Sequence, residues 1–110
     1  MDSLKKDFLE YQAKTTPHPL ALSIKKAKGS YITTTDNKKY LDFVAGVSAC
    51  SLGHRHPKVV AAIRRQTRNY LHVMVYGEFA QAPAVQLCKE LVELLPENQE
   101  RVYLTNSGTE

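Results

Sequence analysis

The six residues from Thr105 to Glu110 read TNSGTE and follow the apolar run RVYL. A short β-prone run that turns through small polar residues into Ser-x-x-Glu has the form of a strand leading into a capped helix. In that form Ser107 accepts from the backbone N–H of Glu110, and the Glu110 carboxylate reaches back. A helix start leaves peptide N–H groups unpaired and carries about half a positive charge, so it suits an anion such as phosphate. Ser107 and Thr109 add hydroxyls, and Gly108 lets the backbone approach a bound group closely. On this motif alone, an ordinary capped helix with no ligand is the plainer reading. Neither GxxxxGK[ST] nor GxGxxG occurs, so the common nucleotide fingerprints are missing.

A second stretch with reactive side chains is GHRHP, Gly53 to Pro57. His54 and His56 form an isolated H-x-H, whereas a zinc site needs three or four ligands. His18 and His72 are the remaining histidines, and Cys50 and Cys88 stand at no metal spacing. The stretch reads as a turn ahead of a helix opened by Pro57, and no metal is expected.

These residues need elements to hold them. Leu4, Phe8 and Tyr11 recur at helical spacing, predicting a helix from Ser3 to about Lys14 capped by Asp2 or Ser3. Pro17 and Pro19 make TTPHPL a connector. From Gly29 to Phe43, two β-prone runs flank Asp36-Asn37, residues that tolerate positive φ, and a β-hairpin is expected. VAGVSACSLG is small and apolar, suited to close backbone packing. Pro57 opens a helix expected to reach about Leu71, and Pro83 opens another that Pro96 ends. HVMVYGEFAQ reads as an apolar loop, PENQE as a polar link, and Arg101 to Leu104 as a short strand.

Composition narrows the function classes. With 110 residues, 43% of them hydrophobic, the chain holds one small core at most. Its formal charge of +4 is spread over Lys25, Lys26 and Lys28, then Lys38 and Lys39, then Arg64, Arg65 and Arg68, without the dense basic stripe of a nucleic-acid binder. Charges interrupt every apolar run well short of the roughly 20 residues a membrane span needs. MDSLKKDFLEYQAK mixes charges throughout and does not resemble a signal peptide, so a reduced, cytoplasmic setting is expected.

Taken together, GSYITTTDNKKYLDFVAGVSACSLGHRHPKVVAAI and the later NSGTE resemble, in order and separation, the amino-terminal region of class III pyridoxal-phosphate aminotransferases of the acetylornithine, ornithine and 4-aminobutyrate type. The resemblance runs from about Pro17 to Glu110. It implies an α/β chain of fold type I: a small-domain helix and hairpin over about 1–50, then the start of the large cofactor domain, with its first strand, over about 51–110. It places Ser107, Gly108 and Thr109 on the turn that holds the cofactor phosphate. It also makes Val47, where the ornithine branch commonly has an aromatic residue, a substrate-pocket candidate; filling a core is the plainer role for a valine there. Asn37 replaces a glycine common in the family without disturbing the hairpin.

The resemblance further implies transfer of an amino group from an amino acid or amine to a 2-oxo acid, in a homodimer with HVMVYGEFAQ at the interface. The Schiff-base lysine, the acidic partner of the pyridinium nitrogen and the aromatic group against the ring normally follow NSGTE, and no lysine here, Lys89 included, matches. The chain therefore reads as the inactive front piece of an aminotransferase. The rival reading is a stand-alone interaction module derived from one, and the coding sequence beyond codon 110 discriminates the two.

Overall fold

A computed structural model of the chain describes residues 2–74 and 77–109. The chain divides into two compact units, Met1–Asn69 and Tyr70–Glu110. The described elements are three helices and one three-stranded antiparallel sheet.

In the first unit, helix α1 spans Ser3–Tyr11. Asp2 is its cap, accepting from the Leu4 N–H at 3.2 Å, and its other carboxylate oxygen accepts from the Thr35 hydroxyl at 2.7 Å. One side chain thus starts the helix and ties it to the sheet. The helix stops before the expected Lys14 because Gln12 turns extended and the Lys14 ammonium donates to the Leu9 carbonyl at 2.9 Å, satisfying an end group from outside the helix.

Strands β1 (Ile24–Lys28), β2 (Tyr31–Thr34) and β3 (Lys39–Leu41) pair in sequence order. The expected hairpin is β2–β3, in register through Tyr31 and Leu41, Ile32 and Tyr40, and Thr33 and Lys39. Asn37 sits at its turn with φ 64° and donates to the Thr34 carbonyl at 2.9 Å. The β1 strand is an addition: IKKAK is too charged to read as a strand, yet it pairs along β2 with one irregularity between Ile24 and Lys26. Gly29, at φ 57°, begins the two-residue connection that turns β1 into β2.

Helix α2 spans Pro57–Gln66, shorter than the expected run to Leu71. The Thr67 hydroxyl bonds back to the Arg64 carbonyl at 3.0 Å, and the chain closes in tight turns, with Asn69 N–H on the Gln66 carbonyl at 2.9 Å. Among the described residues no hydrophobic side chain is buried; the buried ones are Thr33 and Thr34 at the heart of the sheet.

In the second unit, helix α3 spans Ala82–Leu94 with Pro83 in its first turn. Leu95 leaves in extended geometry, as a residue before a proline must. The stretch Arg101 to Leu104 corrects the sequence reading: it forms no strand, because a strand needs a hydrogen-bonded neighbour and no described segment of the second unit pairs with it. No helix among the described residues is long and apolar enough to cross a membrane.

Candidate functional site

The segment between β3 and α2 is a loop whose ends are held together by one carboxylate. Asp42, directly after β3, accepts through Oδ1 from the N–H groups of Val44 and Ala45 at 2.9 and 3.0 Å. Its Oδ2 lies 2.6 Å from His54 Nε2, and the two side chains are only 7% and 18% exposed. The His54 ring, then the Ala45 and Val44 N–H groups, hold the Asp42 carboxyl below the usual carboxylate range. The His54 main chain exchanges two hydrogen bonds with Gly29, at 2.9 and 2.8 Å, docking the far end of the loop on the β1–β2 turn. Gly53 makes this approach possible: at φ 87°, a Cβ there would stand 3.3 Å from both Cα and O of Gly29.

Between the two ends the chain winds left-handed. Ala45, Gly46, Val47 and Ser48 have φ of 49°, 60°, 55° and 70°. An L-residue in this region costs about 1–2 kcal/mol, and a β-branched valine is the least suited to it. The winding is held by Cys50 N–H on the Ala45 carbonyl at 2.8 Å and by the Asp42 contacts at its start. Strain retained in this way gathers where a chain must present a group in a set position. Val47, on this winding, is 85% exposed, so in this structure it fills no core.

His54 Nε2 is bonded to Asp42, and among the described residues no three His, Cys, Asp or Glu side chains gather as a metal site. His56 occupies the cap position of α2 without making a side-chain cap bond, and its buried Nδ1 has no hydrogen-bond partner. The Asp42–His54 pair escaped the sequence reading. The signal lay in Y-L-D-F and G-H-R-H-P as separate motifs, with nothing to say that their polar residues meet.

Ser107, Gly108 and Thr109 lie in the second unit, exposed, on a stretch of bends and turns. The expected helix start is not formed there, and the Thr105 hydroxyl instead donates to the Ser107 carbonyl at 3.2 Å. The capping partner Glu110, like Tyr76 of the expected interface, is outside the described residues. A Cβ on Gly108 would meet nothing within 4 Å. The donor set nevertheless fits a phosphate: hydroxyls on Ser107 and Thr109, adjoining peptide N–H groups, and no carboxylate from Thr105 to Thr109.

Comparison with known proteins agrees with this set of motifs. The family description "Aminotransferase class-III" matches residues 11–110. An acetylornithine aminotransferase from Methanocaldococcus jannaschii is 38% identical over 91 residues, which are 83% of this chain and 22% of that protein. Among solved structures, the adenosylmethionine-8-amino-7-oxononanoate aminotransferase of the same organism superposes with a TM-score of 0.76 at 25% identity, covering 90% of this chain and 24% of the other. An ornithine aminotransferase from Toxoplasma gondii, whose structure is described as having partial occupancy of PLP at its active site, superposes at 0.63 with 32% identity over 84% of this chain and 23% of its own. The chain thus spans less than a quarter of the length of the relatives it matches. With the family match running from residue 11 to residue 110, the chain belongs to the class III aminotransferases.

Proposed function

We propose that the chain serves as the amino-terminal part of a pyridoxal-phosphate aminotransferase of fold type I, which moves an amino group from an amino acid or amine to a 2-oxo acid. The observation that carries this reading is the family match over residues 11–110, with the NSGTE motif at its end. About 1–50 contribute to the small domain and about 51–110 open the cofactor domain. The protein works as a cytoplasmic homodimer, with exposed Phe79 and its neighbours at the subunit boundary.

Each part of the chain has a task in that reading. Ser107, Gly108 and Thr109 hold the cofactor phosphate through hydroxyl and peptide N–H donors, which places the reactive ring without taking part in bond making. Pyridoxal phosphate, when bound, supplies the electron sink for amino transfer. The left-handed turn carries Val47 to the substrate side, where a small apolar group leaves room that an aromatic side chain would fill. That feature, together with the motif AGVSACSLGH, supports the acetylornithine or 4-aminobutyrate branch over the ornithine one.

The test uses the complete protein and the 110-residue chain side by side. Visible cofactor absorbance after dialysis is expected in the complete protein, reduced in Gly108→Val and absent from the chain alone. A helix is needed behind the turn to hold its N–H groups, and the described turn has none. Unchanged retention in Gly108→Val would overturn the assignment of the turn. Absence of amino transfer in the complete protein, tested with acetylornithine, ornithine and 4-aminobutyrate, would overturn the functional reading and leave the interaction-module alternative.

A further inference from the structure

The first unit gathers positive charges that the sequence scatters. Lys28 ends β1, Arg55 stands in the GHRHP turn, and Arg64, Arg65 and Arg68 lie at and beyond the last turn of α2; together they line one groove of about 690 Å3. The backbone brings them together through the Gly29–His54 bridge, which sets the residue after His54 beside the residue before Gly29. No acidic residue lines the groove, and none of these cations belongs to an ion pair among the described residues. The end of a helix favours Arg64 and Arg65, but it does not account for Lys28 and Arg55. Arg55 moreover holds its position at φ 55°, a conformation that costs an arginine about 1–2 kcal/mol.

Like charges sharing a groove repel, and the repulsion is relieved by an anion that several of them reach at once. Guanidinium groups match phosphate oxygens in pairs, and a lysine adds a point charge. The groove is larger than a lone phosphate requires and falls within the size range of small-molecule sites. We propose that this groove binds a chain of phosphates, of the di- or triphosphate class, independently of the phosphate turn at Ser107 to Thr109.

The probe is inorganic tripolyphosphate, followed by equilibrium dialysis against the complete protein with its phosphate turn already occupied by cofactor, at low micromolar concentration and near-physiological salt. Saturable one-to-one binding is expected, at least tenfold tighter than inorganic monophosphate. The double substitution Arg65→Gln with Arg68→Gln is expected to weaken it tenfold or more, while Lys5→Gln with Lys6→Gln, the same loss of charge on α1, leaves it unchanged. Amide resonances of Gly29 and Arg55 should shift during titration of the unsubstituted complete protein, a readout that needs no variant to fold. Binding without saturation, equal loss in the two double variants, equal affinity for monophosphate, or shifts spread evenly over α1 and α3 would each overturn the proposal.

Discussion

Replacing Gly53 by alanine tests how the loop is docked on the sheet. Gly53 is left-handed at φ 87°, so an alanine there carries a strain of about 1–2 kcal/mol. Its Cβ would also stand 3.3 Å from Gly29 Cα and O, backbone atoms that can yield only by moving the strand turn. That movement stretches the two hydrogen bonds between Gly29 and His54, each worth about 0.5–1.5 kcal/mol. Strain alone predicts local opening about 5–30-fold more frequent, and the stretched pair adds to it. Amide hydrogen exchange at Gly29 and His54 measures this directly. Two comparisons separate the causes. Gly29→Ala, at φ 57° with nothing within 4 Å of its Cβ, carries strain without the contact, and Gly108→Ala carries neither. The order of acceleration at the bridge should be Gly53→Ala, then Gly29→Ala, then Gly108→Ala with none. Unchanged exchange in Gly53→Ala, or equal acceleration in the first two, would refute the close-approach argument.

Other perturbations address the remaining contacts. Asp42→Asn removes the charge that His54 and two N–H groups share, so the Val44 and Ala45 amide protons should move upfield and exchange faster; unchanged resonances would mean that the carboxylate does not hold the turn. Asp36, bonded to the Thr34 hydroxyl and paired with Lys38 at 2.9 Å, is lowered to about 2 from 3.8. Its contribution is complete above 3.8 and is lost as the pH falls through about 2; a titration of the Thr34 and Lys38 resonances centred near 3.8 would contradict this. In the complete protein, Val47→Tyr should raise kcat/KM for ornithine relative to acetylornithine, and an unchanged ratio would remove Val47 from the substrate pocket.

Punctuating residues made much of the fold legible. Pro57 and Pro83 marked the starts of α2 and α3, and Asp36-Asn37 marked the β2–β3 turn, because each fixes its own backbone whatever surrounds it. The β1 strand was not legible: its lysines mask a pairing that depends on β2. Arg101 to Leu104 erred the other way, since a β-prone run without a neighbour stays irregular. At the candidate site, NSGTE and GHRHP were visible as motifs, and Gly53 supplies the close backbone packing expected of its segment. The left-handed winding was hidden, because Ala45, Val47 and Ser48 are not residues that ask for positive φ. The basic groove was hidden for a different reason: only the pairing of Gly29 with His54 makes neighbours of Lys28 and Arg55.

The Gly29–His54 bridge also has an entropic cost that depends on what has formed before it. Formed from an open chain, it must close the whole span between residues 29 and 54. Once β2 and β3 have paired through their short turn, only the stretch from Asp42 to His54 remains to close, about half that length, and each halving lowers the entropic cost of closure by ~0.6 kcal/mol. Sealing the bridge onto a formed meander is therefore the cheaper closure, and the position of Val47 depends on that seal. If the bridge seals onto a formed meander, a mutation confined to residues 44–52 is expected to change how often the seal reopens rather than the rate of sheet formation, which hydrogen exchange at Gly29 and His54 together with refolding kinetics would measure.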